Sequence, residues 1–82
     1  MSRKENREAT PETLRCLALN LKRLRKARGY TQADLARRTG LGLGYIRDVE
    51  RETVNVALVN LEALAHGLNC SFHDLLMPIE EG

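Results

Sequence analysis

The sequence predicts an all-α domain of five short helices. Three observations carry this. Apolar residues recur at spacings of three and four, and no stretch alternates as a strand would. Four of the five apolar stretches open on a helix-capping residue, Thr10, Thr31, Gly42 or Ser71. Glycine or proline closes most of them, and no internal repeat is present.

The first helix is expected over residues 11–28. Thr10 serves as N-cap and Pro11 occupies the first helical position, where its missing N–H costs nothing. Leu14, Leu17, Ala18, Leu21 and Leu24 form its apolar stripe, and Gly29 ends it. The second helix is expected over 32–38. Thr31 and Asp34 make a capping box, and Tyr30 and Leu35 bracket it as a hydrophobic staple. The third runs to Arg51 on Tyr45, Ile46, Val49 and Glu50. The loop Glu52–Val56 has no helical period. The fourth places Leu58, Leu61 and Ala65 on one face and is expected to end at Gly67. The fifth starts at Ser71, with Asp74 completing a capping box and Cys70 and Leu75 a staple, and Pro78 stops it. Residues 1–9 read as a disordered, solvated arm, 10–79 as the folded unit and 80–82 as a tail.

Eighty-two residues make one small domain. A chain of this size buries only about 60–65% of its unfolded surface, so dimerisation is a natural supplement to its stability. Cys16 and Cys70 form no CxxC motif, which favours a reduced, cytoplasmic chain over a disulfide framework. The charged N-terminus is not expected to be a signal peptide, and no apolar run reaches the roughly 18 residues of a membrane span. Tyr30, Tyr45 and Phe72 are too few to suggest stacking on single-stranded nucleic acid.

Charge is partitioned. Residues 22–51 hold nine Lys or Arg against three Asp or Glu, a balance of +6, whereas residues 52–82 hold no Lys or Arg and five acids, a balance of −5. A basic centre faces polyanions well, and an acidic end does not. Each of Lys22, Arg23, Arg25, Lys26 and Arg28 alone reads as solvated helix surface. Together they suggest phosphate contacts. Arg37 and Arg38 read equally as surface or as phosphate ligands. Arg51 is expected to pair with Glu50 and hold the fold. His66 and His73 with Cys16 and Cys70 match no zinc spacing, so no metal or cofactor is expected. No catalytic constellation is present, which excludes an enzyme from this reading.

The stretch "TGLGLGYIRD", residues 39–48, places three glycines around the start of a helix. Glycine costs about 1 kcal/mol against alanine inside a helix, so each needs a reason. Gly40 suits a left-handed turn between two short helices. Gly42 suits an N-cap. Gly44, in the first turn, lets another backbone approach. Leu35, the small Ala36, Ile46 and Val49 then pack the two helices together in the helix-turn-helix arrangement, whose second helix enters the DNA major groove.

With these residues in place, "TQADLARRTGLGLGYIRDVER" resembles the lambda repressor and Cro-type (XRE-like) helix-turn-helix transcriptional regulators. The resemblance extends over residues 19–76. It is carried by Thr31-Gln32, Leu35-Ala36, Gly40, Ile46, Val49-Glu50-Arg51 and the later "LVNLEALAHGLNCSFHDLL". The segment 45–68 is also similar to the small controller proteins of restriction–modification systems. The resemblance implies a compact five-helix domain that binds a two-fold operator in double-stranded DNA as a homodimer. It implies a phosphate contact for Gln32, base-facing positions for Gly42, Leu43, Gly44, Arg47 and Asp48, and a backbone or base-edge position for Tyr45. Leu43 suits a thymine methyl, Arg47 a guanine, and Asp48 either a cytosine amine or a place holding Arg47. Lys26 and Arg37 are the expected phosphate ligands beside them. Phe72, Leu76, Met77 and Ile79 are expected to form the dimer contact. The chain departs from the family pattern at 42–45, where polar residues are usual, at Glu52, where glycine is usual, and at Val56, where proline is usual. The apolar recognition positions leave two function classes open. One is a sequence-specific regulator, and the other is a protein-interaction module on the same fold.

Overall fold

A computed structural model of the chain describes residues 10–79. The expected arm, 1–9, and tail, 80–82, lie outside them. The described residues form five α-helices and no strand: α1 Pro11–Ala27, α2 Gln32–Thr39, α3 Leu43–Glu50, α4 Leu58–Leu68 and α5 Phe72–Leu76.

The caps follow from the local sequence. The Thr10 hydroxyl accepts from the Thr13 N–H at 3.2 Å. Thr31 and Asp34 satisfy each other's backbone N–H groups at 2.8 and 2.9 Å, and Ser71 and Asp74 do so at 3.1 Å. These bonds hold both carboxyls below the ordinary aspartate value. The backbone N–H of the capping residue is the main cause in each, with its hydroxyl next. Their stabilisation is therefore present above the ordinary carboxylate range and lost as pH falls through the lowered values.

Three helices close through the same pair of bonds around a left-handed residue. In α1 it is Gly29, φ 74°; after α3 it is Glu52, φ 65°; after α4 it is Asn69, φ 54°. At Glu52, its own N–H reaches the Val49 carbonyl at 3.1 Å and the Thr53 N–H reaches that of Asp48 at 3.0 Å. Gly40, φ 77°, makes the turn after α2 with a single bond to the Ala36 carbonyl at 2.9 Å.

The core draws on every helix: Leu17 and Leu21, Leu35, Ile46 and Val49, Leu61, Leu64, Ala65 and Leu68, and Leu75. Helix α1 packs on α3 and α5, and α2 packs on α3 and α4. Two expectations for α4 need correction. The helix does not end at Gly67 but continues to Leu68 and turns at Asn69. Gly67 is buried, and a Cβ there would lie 2.5 Å from the Thr39 Cγ2, so its role is close packing of α2 against α4. Leu58 is not on the buried face; it is 70% exposed, with Val59 beside it at 67%.

Candidate nucleic-acid interface

The turn at Gly40 sends α3 across α2. The contact is made by buried Leu35, Ile46 and Val49, with Ala36 and Tyr45 packed against them. Beneath it lies a polar network. Arg25 and Glu50 are 8% and 7% exposed. The Arg25 Nε donates to Glu50 Oε2 at 2.7 Å and its Nη2 to Oε1 at 3.1 Å, a bidentate pair. The Arg25 Nη1 also donates to the Tyr30 carbonyl at 2.9 Å, and the Gln32 amide donates to Glu50 Oε1 at 3.0 Å. One carboxylate therefore ties α1, the following turn, α2 and α3 together.

This corrects two expectations. Arg25 is no phosphate ligand, because its guanidinium is buried and consumed by the fold. Arg51 is not the partner of Glu50, because that place is taken by Arg25, and Arg51 is exposed at the end of α3. The sequence carries a partial signal. Arg25 falls four residues after Leu21 and Glu50 four after Ile46, at apolar-stripe spacing, where a buried charge requires a partner. Lys22 and Arg28 share that spacing in α1, and only the packing singles out Arg25.

The outer face of α3 is formed by Gly44, Arg47, Asp48 and Arg51, of which Gly44, Arg47 and Arg51 are exposed. Among the described residues no hydrogen bond or ion pair holds the Arg47 guanidinium, and Asp48 does not pair with it. Adjacent helical residues point about 100° apart, so this follows from geometry. Gly42 is the N-cap and offers no side-chain bond. The first intrahelical donor is the Ile46 N–H, which reaches the Gly42 carbonyl at 3.0 Å. The N–H groups of residues 43–45 thus have no partner within the helix. A Cβ at either Gly42 or Gly44 would meet nothing within 4 Å. Leu43 is half-buried. Tyr45 is also half-buried, and its phenol oxygen accepts from the Asn60 amide of α4 at 3.1 Å, leaving its own O–H free to donate. That link was not anticipated.

The remaining basic residues divide. Lys26 is exposed. Arg37 is exposed and paired with Asp34. Arg38 lies over the Tyr30 ring, 4.6 Å from its centroid, and donates to the Gly67 carbonyl at 3.0 Å, so it fastens α2 to α4. Among the described residues no group of three or more His, Cys, Asp or Glu is placed to hold a metal ion, and no helix is long and apolar enough to cross a membrane.

Two short helices joined through a left-handed glycine, the second exposing a free arginine and an N-terminus without a side-chain cap, define a helix-turn-helix DNA-binding domain. The helix-turn-helix family model matches residues 21–75, and the chain belongs to this family of transcriptional regulators, which are not enzymes. It is 40% identical over 65 residues to a hypothetical transcription factor from Neisseria meningitidis, covering 79% of this chain and 61% of that one. The chain thus spans about three fifths of that relative's length. A crystal structure of a hypothetical transcription factor from Neisseria superposes with a TM-score of 0.79 at 33% identity, over 90% of this chain and 86% of that one. The restriction–modification controller protein of Aeromonas hydrophila superposes with a TM-score of 0.73 at 39% identity, over 76% of this chain and 94% of that one.

Proposed function

We propose that the protein is a cytoplasmic, sequence-specific regulator of transcription that binds a two-fold DNA operator as a homodimer, with α3 in the major groove. The observation that carries this reading is the exposed, unpaired Arg47 at the centre of the outer face of α3. Its guanidinium suits bidentate pairing with guanine O6 and N7. Gly44 lets the helix approach closely, and Leu43 suits a thymine methyl. Asp48 suits a cytosine amine. The open N–H groups above Gly42 and the positive helix end suit a phosphate. The free phenol O–H of Tyr45, the second amide N–H of Gln32, and the side chains of Lys26, Arg37 and Arg51 supply further phosphate contacts.

An eight-residue helix is about 12 Å long and reaches only three or four base pairs. Two copies are needed for a longer operator. Phe72, Leu76 and Met77 are 41%, 38% and 37% exposed, which suits a two-fold contact, and half-buried Ile79 follows them in the chain. Such a dimer would set its α3 helices about 34 Å apart, one turn of DNA.

The test is a gel shift on genomic fragments over a salt series, followed by footprinting upstream of the protein's own gene. Specific binding predicts a protected two-fold site. Six to ten phosphate contacts also predict a loss of about 10³–10⁵ in affinity between roughly 50 and 200 mM salt. No shift at low salt, or a flat response, overturns the reading and favours a protein-interaction module on the same fold.

A further inference from the structure

Asn20, in the middle of α1, is fully buried. Its Nδ2 donates to the carbonyls of Leu75 and Met77, each at 2.8 Å, and its Oδ1 accepts from the Arg23 guanidinium at 2.7 Å. Chemistry fixes this orientation: the two carbonyls only accept and the guanidinium only donates. Both amide hydrogens are spent on one short stretch of chain, 55 and 57 residues away.

That stretch needs an outside support. Helix α5 has five residues, far fewer than the roughly 12–15 at which an isolated helix becomes even marginal in water. After it the chain turns extended at Met77, and Pro78 supplies no N–H to return to the Leu75 carbonyl. Leu75 anchors the helix in the core, where the helix packs on α1 and α4. Asn20 adds a polar hold on the chain as it leaves the helix, gripping the carbonyl of Leu75 and the one two residues on.

We propose that Asn20 is the positioning residue of the dimer contact. Its amide fixes the path of residues 75–77 and so the angle at which Phe72, Leu76 and Met77 meet a second copy, and through that angle it sets the separation of the two α3 helices. This rests on the homodimer reading above. The occupant is a second copy because residues 52–82 carry no Lys or Arg to offer a polyanion, which leaves the exposed Phe72, Leu76 and Met77 to an apolar protein surface such as their own in a two-fold mate.

Sedimentation of the full chain without DNA tests the proposal, together with binding to operators carrying the native half-site spacing or two inserted base pairs. Asn20→Ala removes both carbonyl bonds at once; with part of that loss felt at the dimer contact it should raise the dimer Kd about tenfold and narrow the preference for native spacing. Gly29→Ala is the control for mere destabilisation: it strains a left-handed turn at the far end of α1 and should leave dimer Kd and spacing preference unchanged. Arg23→Met leaves the core and both carbonyl bonds in place but removes the donor that holds the Asn20 Oδ1, so the amide is held less firmly, and it should weaken the dimer in the same direction by less. A wild-type chain that stays monomeric with and without DNA overturns the dimer reading and this proposal with it. A wild-type dimer matched by Asn20→Ala overturns this proposal alone. Should Asn20→Ala fail to fold, an unchanged dimer Kd in Arg23→Met overturns it.

Discussion

Helix α3 has two faces, and they treat the same chemical groups in opposite ways. On the inner face Ile46 and Val49 are buried and Glu50 has all its partners, with the Arg25 guanidinium at 2.7 Å. On the outer face an identical guanidinium, that of Arg47, has no partner among the described residues and two glycines stand in open space. A buried charge without its partner is costly, whereas an exposed one costs nothing to leave free. The inner face is therefore complete by itself. The outer face is complete only against something else, and its basic, small-residue character fits DNA.

This contrast can be broken most forcefully at Glu50. Glu50→Ala strands the buried Arg25 guanidinium and should cost about 3–5 kcal/mol, enough to unfold much of a small domain. Chemical denaturation checks it. A loss below about 1 kcal/mol would mean that the network is not holding the helices together.

The glycines sharpen the contrast. Gly67→Ala places its Cβ 2.5 Å from the Thr39 Cγ2. Thr39 cannot swing aside freely, because its hydroxyl donates to the Leu35 carbonyl at 2.8 Å and accepts from the Leu41 N–H at 3.2 Å. The expected cost is about 1–3 kcal/mol, the scale of overpacking. Adding Thr39→Ser, which keeps the hydroxyl and removes the methyl, should restore most of it. A double variant no more stable than Gly67→Ala would locate the strain elsewhere.

Gly40 and Gly44 should respond with opposite signs. Both have open space where a Cβ would go, but only Gly40 is left-handed, with φ 77°. Gly40→Ala should lose about 1 kcal/mol or more. Gly44→Ala should gain up to about 1 kcal/mol through helix propensity. If Gly44 serves close approach to DNA, the same variant binds its operator more weakly while melting higher. Operator binding as tight as wild type would remove the close-approach role.

The smallest effect is at Glu52, a side chain held at φ 65°. Glu52→Gly relieves the left-handed penalty, partly offset by the greater freedom of glycine in the unfolded chain, and should stabilise by about 0.5–1 kcal/mol. An unchanged melting temperature would show that the turn tolerates the side chain without strain.

What the sequence made legible was what is local. Thr31 with Asp34, Ser71 with Asp74, and Gly29 and Gly40 are read within four residues of chain, and so are the helix starts they set. Glu52 was marked only by its departure from the family glycine, which pointed to a differently shaped loop; the structure keeps the left-handed turn with a side chain in it. What stayed hidden depends on contacts across the chain. Gly67 looked like a terminator because glycine usually is one there, but Thr39 on another helix needs the space. Asn69 makes the turn instead. Leu58 fits the apolar period of α4 yet lies beyond the reach of the core. Asn20 is one polar residue in a helix, and only the distant carbonyls of Leu75 and Met77 explain it. The outer face of α3 was legible as a surface, because nothing in the chain itself has to contact it.

The most direct test of the account measures Arg47→Ala against wild type on the operator and on random DNA, with Lys26→Ala in parallel. Arg47→Ala should keep wild-type stability, weaken the operator by about 1–3 kcal/mol and relax preference at one base pair in each half-site. Lys26→Ala should weaken operator and random DNA alike and flatten the salt dependence. An Arg47→Ala variant that unfolds more easily, or that keeps the full operator preference of wild type, would contradict the assignment of the outer face of α3 as the reading surface.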